Sequence, residues 1–330
     1  MTAARSPEQE QFAAALHDLL SGPVPAGRAA GLARWRDLAR LGVTALVIPE
    51  SRGGLGASPL DLVVAAEELG HHALPGPVAE SLAAVPRLLA ALPGPEAAQW
   101  QHGLAAGDLL ATLALPPRLP YAADADAAGL VLLAEHDTLW LAEPGPARRS
   151  VDPARSLSGV RGQRVLARGP EVADAVRDAL RLGALASAAQ LLGAGRALLE
   201  ASVGHARTRV QFGQPVGAFQ AVQHRLADIA IGLEFARPLL DAAAQALAQG
   251  RPEAARDVSA AKVACADAAS RAARAALQVH GAIGYTAEHD LHRWLTKVRA
   301  LIPAWGTQAQ HRAEVMAALT GAGQPAAAWT

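Results

Sequence analysis

The chain contains no asparagine, one cysteine (Cys265) and two lysines (Lys262 and Lys297) in 330 residues. A lone cysteine excludes an internal disulfide and a thiolate metal cluster. The near-absence of lysine beside abundant arginine and alanine reads as a coding bias, so an arginine carries information only inside a motif. Formal net charge is zero, which gives nucleic acid or an anionic membrane nothing to read as a partner. No signal peptide opens the chain and no uninterrupted apolar run reaches transmembrane length; the expected location is the cytoplasm. Hydrophobic residues at 51 % and charged residues at 18 % are a soluble globular balance, long enough for two or three domains.

Residues 1–110 read as helical, with apolar positions at helical spacing from Phe12 to Leu20, from Trp35 to Leu41 and from Leu60 to Leu69. The segment Ala45–Gly56, with Pro49 and three glycines, reads on its own as a loop reversing the chain between two packed helices. Residues 111–168 change character: Leu130–Ala134, Thr138–Ala142 and Gly162–Ala167 are short apolar runs separated by Gly, Pro and Asp, which predicts a small β-domain. Residues 169–320 read as long amphipathic helices forming a four-helix bundle. Val222, Leu226, Ile229, Leu233 and Leu240 share one face of one of them. Gly193 and Gly195 sit inside a helical run and read as a packing contact, while Gly321–Thr330 reads as a disordered tail. The expected fold class is therefore mainly α with a small β-domain in the middle.

One corner stands out. After a helical run ending near His205, Phe212-Gly213 and Pro215 break the backbone and a second helix starts around Phe219. Arg209, Gln211, Phe212 and Gln220 meet there, and arginine's planar fork suits a diphosphate. Downstream, Gln278, Gly281 and Gly284 offer a side-chain amide beside small residues that let a dinucleotide approach the backbone. This spacing is no Rossmann fingerprint, since no strand precedes it.

Arg-x-x-Phe-Gly followed by Phe-Gln-x-x-Gln resembles the signature turn of the acyl-CoA dehydrogenase family. Ala45–Gly56 and Glu67–Gly70 resemble that family's Pro-Glu loop and the helix end after it. The resemblance covers nearly the whole chain but is specific mainly over residues 205–312. It implies FAD as cofactor, with Arg209, Gln211, Phe212, Gln220, Gln278, Gly281 and Gly284 gripping the ADP half of a flavin bound mainly by the neighbouring subunit. Thr307 belongs, by the same resemblance, to the pocket of the subunit's own flavin. The substrate implied is an acyl-CoA thioester, and the electron acceptor is of the electron-transfer flavoprotein type.

The chain departs from the family where chemistry happens. Dehydrogenation needs a carboxylate to take the α-proton. The family places it directly before Gly-Thr, where this chain has Trp305 ahead of Gly306-Thr307. A few relatives place it one helix earlier, at a position corresponding to Gly183 here, again no base. Glu200 and Asp178, nearby in sequence, read as surface charges. The flavin-cradling stretches of the β-domain are also missing: Thr112–Arg118 lacks the family's acidic motif, and a Trp-Ile-x-Asn is impossible without asparagine. Asp124 and Asp126 read as capping a strand entry. No metal site is expected, because His71-His72 has no His-x-x-x-His or Cys/His partner spacing. The expectation is thus a base-less subunit that completes the FAD site of a homologous base-bearing partner. Two alternatives stay open: a self-sufficient homo-oligomer with a displaced base, and a non-catalytic binding or scaffold protein.

Overall fold

A computed structural model of the chain describes residues 5–22, 27–286 and 289–321; the expected tail beyond Gly321 lies outside them. The first part is helical: α1 (Pro7–Ser21), α2 (Arg28–Ala33), α3 (Trp35–Arg40), α4 (Pro59–His71), α5 (Val85–Ala90) and α6 (Pro95–Ala105). Ser6 with Gln9, and Ser58 with Asp61, form reciprocal capping boxes ahead of a proline at the first helical turn, which fixes where α1 and α4 begin. The Ala45–Gly56 segment reverses the chain through two 3-10 turns, at Val43–Ala45 and Glu50–Arg52. Gly54 is required there, because a Cβ would lie 2.0 Å from the Ile48 carbonyl oxygen. A π-turn, Glu80–Ala84, leads into α5 and is buried throughout.

The middle part holds β1 (Ala111–Ala114), β2 (Ala122–Ala123), β3 (Leu130–Glu135), β4 (Thr138–Pro144), β5 (Arg148–Arg149), β6 (Ser156–Ser158) and β7 (Val160–Arg168). One sheet runs β1-β3-β4-β7, parallel between β1 and β3 and antiparallel elsewhere, and a smaller one runs β2-β6-β5. Alternation along β3 sends Leu130, Leu132 and Ala134 into the main core and Val131 and Leu133 into a separate small core with Ala114 and Ala142. That is why this strand reads as a continuous apolar run rather than an alternating one.

The last part is α7 (Pro170–Thr208), the hairpin strands β8 (Val210–Gln211) and β9 (Gln214–Pro215), then α8 (Gln220–Ala248), α9 (Ala254–His280), α10 (Leu291–Leu301) and α11 (Gln308–Thr320). The chain is mainly α with a small sheet region, as its sequence leads one to expect. α7 is the one described helix long and apolar enough to cross a membrane, but 83 % of its most apolar stretch is buried inside the protein. Glycines set how closely it packs: a Cβ on Gly193 would lie 1.9 Å from the Glu67 oxygen, and one on Gly70 would lie 2.2 Å from the Gln190 oxygen. α4 and α7 therefore cross backbone to backbone. Gly195 makes room for the Leu233 side chain of α8, whose Cδ2 would lie 2.6 Å from a Cβ there. On α8, Ile229, Leu233 and Leu240 are buried and Val222 and Leu226 half-buried, so the expected face is the packed one.

Across the α4–α7–α8 junction one carboxylate ties the helices together. Glu67 is fully buried and meets Arg196 at 2.6 Å, Arg237 at 2.6 Å, and Arg5. Burial alone would raise its pKa, but hydrogen bonds and charge from Arg237, then the charges of Arg5 and Arg196, pull it down to about 2.

Candidate functional site

The corner that follows α7 is a tight hairpin. Phe212 and Gly213 both have positive φ, 53° and 80°, as a two-residue turn between β8 and β9 demands. α7 runs three residues past the expected end at His205, because Thr208 caps back onto the Gly204 oxygen at 3.1 Å and the Arg209 amide onto His205 at 2.9 Å. The turn leaves the Phe212 ring 93 % exposed, braced only edge-on by Phe219 at 6.1 Å. Arg209, Gln211 and Gln220 are all exposed. The Arg209 guanidinium has no ion-pair partner among the described residues.

The second group lies at the end of α9. Gln278 is exposed, and Gly281 ends the helix at φ 62°. Gly284 is buried among His280, Leu277 and Leu291, so its role is close packing of the 3-10 turn Gly281–Tyr285. His205 near the end of α7 stacks on His280 at the end of α9, with ring centroids 4.4 Å apart. That stack draws the ends of α7 and α9 together. The buried His280 Nε2 has no hydrogen-bond partner among the described residues, and burial lowers the pKa of His280 and of His205, so the neutral rings are favoured.

The positions where a base is expected are of opposite character. Trp305 is 1 % exposed and sits at φ 63°, and its ring lies against Gly183 in the middle of α7. A Cβ on Gly183 would come within 2.2 Å of the Trp305 Cζ3 atom. The two substitutions noted separately in the sequence are thus one packing event: the indole occupies the space a side chain at 183 would need. The turn is then fixed from behind. His311 Nε2 lies 3.0 Å from the Trp305 oxygen and its Nδ1 lies 3.0 Å from Ser259 Oγ. Ser259 donates to Glu314 at 2.5 Å, and Glu314 pairs with Arg118. Thr307 is the exposed N-cap of α11, in a capping box with Gln310.

Beside Trp305 is a cavity of about 20 Å³ bordered by Glu80, Asp152, Arg155, Gln190 and Lys297. That is room for about one water. Burial pushes the Glu80 carboxyl above the ordinary range, against the charge of Arg155 and a hydrogen bond from the Trp305 indole. Burial likewise lowers the Lys297 pKa. This acidic side chain next to Trp305 was not anticipated from sequence, where Glu80 is one glutamate in an apolar helix. A more open cleft of about 300 Å³ lies between the small sheet and the turn before Trp305, bordered by Tyr121, Arg149, Arg155, Leu157, Arg299 and Pro303.

Other candidates resolve into structural roles. Asp124 accepts from Arg28 Nε at 2.9 Å and from the Ser156 amide at 3.0 Å, and Asp126 takes Arg28 at 2.6 Å. Together they tie α2 to β6. Asp178 pairs with Arg87 at 2.6 Å, and Glu200 with His71 at 2.8 Å.

This is the fold of a flavin-type dehydrogenase, with helices on either side of a small sheet region. The family model described as the acyl-CoA dehydrogenase C-terminal domain matches residues 144–320, and the corresponding N-terminal domain model matches residues 6–99. The acyl-CoA dehydrogenase IpdE2 of Mycobacterium tuberculosis is 33 % identical over 80 % of this chain and 79 % of its own length. Among solved structures, butyryl-CoA dehydrogenase of Megasphaera elsdenii superposes with TM-score 0.83 at 22 % identity, covering 97 % of this chain and 100 % of that one. A chain of the ChsE4-ChsE5 complex of Mycobacterium tuberculosis superposes with TM-score 0.81 at 24 % identity, covering 98 % and 99 %. The chain belongs to the acyl-CoA dehydrogenase family, oxidoreductases whose cofactor is FAD.

Proposed function

We propose that this chain is the base-less subunit of a mixed acyl-CoA dehydrogenase assembly and completes the FAD site of a homologous, base-bearing partner. The observation that carries the reading is the contact between Trp305 and Gly183. It fills both positions from which the family's carboxylate acts, and the adjoining cavity of about 20 Å³ admits no acyl chain. When bound, FAD supplies the hydride acceptor for α,β-dehydrogenation of an acyl-CoA. This chain's residues hold the cofactor and do not move the proton.

The corner residues fit the ADP half of the cofactor. Arg209 offers an uncompensated charge-assisted fork to the diphosphate, with Gln211 and Gln220 beside it. Gln278 supplies an amide and Gly281 a close backbone approach, beside His280 Nε2, which has no hydrogen-bond partner among the described residues, while the buried Gly284 holds the turn behind them. Phe212 on its rigid turn suits a hydrophobic contact with a neighbouring subunit. So does the exposed row Ile231, Phe235 and Leu239 along the outer face of α8. Thr307, with its hydroxyl engaged as a helix cap, serves a flavin pocket that the missing β-domain motifs leave incomplete. Division at about residues 110 and 168 into helical, β and helical domains, a cytoplasmic location and an electron-transfer flavoprotein-type acceptor are part of the same proposal. The ChsE4-ChsE5 complex is consistent with two related chains assembling.

A second reading has one observation in its favour: the buried Glu80, with its raised pKa, beside Trp305. A self-sufficient enzyme would have to swing the indole aside and use Glu80 as the base. Co-expressing this chain with its base-bearing partner separates the two. Arg209→Ala in this chain should weaken FAD binding by the assembly, and Glu80→Gln should leave turnover unchanged. Turnover abolished by Glu80→Gln with FAD retained would favour the second reading.

A further inference from the structure

Away from the flavin corner, α1 and the end of α4 bring three histidines and a glutamate to one point. We propose that His17, Glu68, His71 and His72 form a binding site for a single divalent transition-metal ion of the zinc type. Each of the four offers one ligand atom within 4.8 Å of the other three. His17 Nδ1 lies 3.1 Å from Glu68 Oε2 and 3.2 Å from His72 Nε2. A tetrahedral ion with bonds of about 2.0–2.1 Å sets its ligand atoms about 3.3 Å apart, so these two edges already have the required length.

Proton counting argues for an ion. His17 Nδ1 faces both a carboxylate oxygen and a ring nitrogen, and a single imidazole nitrogen either donates or accepts, never both. One of the two contacts is therefore unsatisfied whatever the tautomer. His71, only 8 % exposed, has an Nδ1 atom with no hydrogen-bond partner among the described residues. Buried nitrogens left in that state are costly. A cation accepting lone pairs from His17, His71, His72 and Glu68 satisfies all of them together.

The outer supports are also in place. His71 Nε2 is held by Glu200 Oε2 at 2.8 Å, the carboxylate–histidine arrangement that orients a metal-bound imidazole. Arg196 takes Glu68 Oε1 at 3.2 Å, leaving Oε2 for the centre. Trp294 donates to the His71 oxygen at 2.6 Å and fixes the backbone between the two adjacent histidines. The sequence hides this site because His71-His72 lacks a helical partner; the third histidine arrives through the packing of α1 on α4. The ion would clip α1 to the α4–α7 pair, a structural role independent of the flavin reading.

The test uses the full chain after chelator treatment, titrated with Zn2+ by calorimetry and with Co2+ by visible absorption. One equivalent should bind, Co2+ should give the intense bands of a four-coordinate site, and the metal should raise the melting temperature. His17→Gln and His72→Gln, both at partly exposed positions, should fold and lose that binding. Glu200→Gln should weaken it about 10–100-fold. His205→Gln, in the other histidine group, should leave it unchanged. Absence of binding by the native chain, or binding undiminished in a His17→Gln/His72→Gln double variant, would overturn the proposal.

Discussion

The hairpin corner and the Trp305 pocket are built on the two ends of one structural idea and differ in every physical respect. At the corner, a charged fork, amides and a phenylalanine stand exposed, and the Arg209 fork has no ion-pair partner among the described residues. At the pocket, a large aromatic side chain is buried on a glycine and braced by His311, Ser259, Glu314 and Arg118. Exposed, unpaired groups contribute little to a monomer's stability, so their presence points to something outside the chain. A filled, braced pocket contributes to folding and leaves room for about one water beside the indole.

That contrast can be broken from either side. The largest effect is expected at the pocket. Gly183→Glu, which puts a carboxylate at one of the two positions where the base is expected, should destabilise the chain by more than about 3 kcal/mol through collision with Trp305 and burial of a charge. Trp305→Ala should cost about 3–5 kcal/mol through the cavity it leaves. Both are read by urea unfolding. If Gly183→Glu folds normally, the indole is mobile and the pocket is not closed.

Glu67→Gln should cost about 3 kcal/mol, since it leaves three arginines around a neutral group, each still partly in contact with water. The same carboxylate gives a pH dependence. Its folded pKa of about 2 lies below its unfolded value, so its contribution is fully present above the unfolded pKa. It is lost as pH falls from about 4.5 toward 2. In Glu67→Gln the acid limb of the stability profile should flatten.

At the corner the sign reverses. Arg209→Ala should change unfolding free energy by less than about 0.5 kcal/mol. In the mixed assembly it should weaken FAD binding about 10–100-fold, the equivalent of one charge-assisted bond. An unfolding penalty without an effect on FAD would make Arg209 a structural residue. The smallest effect belongs to Thr307→Ala. It should cost about 1 kcal/mol as a lost cap and leave the assembly's FAD affinity untouched. A loss of flavin there would reopen the chain's own pocket.

Much of this was legible in the residues. The strands declared themselves as apolar runs, and Gly193 and Gly195 as packing contacts. The Phe-Gly-x-Pro sequence declared a turn, because each of these is local chemistry. What stayed hidden was long-range. Gly183 and Trp305 look like two independent losses in sequence and are one contact in space. Glu80 looks like an ordinary helical glutamate until burial and Trp305 surround it. His17 carries no signal at all until α1 lies on α4. The sequence puts the end of α7 near His205, three residues short, because the back-bonding of Thr208 has no pattern of its own.

The most direct measurement is the visible spectrum of the purified chain, alone and after assembly with the proposed base-bearing partner, before and after anaerobic addition of acyl-CoA. The account predicts a colourless lone chain. Flavin absorbance should be present in the assembly and bleach when acyl-CoA is added. A lone chain that holds stoichiometric FAD and bleaches with acyl-CoA would contradict it.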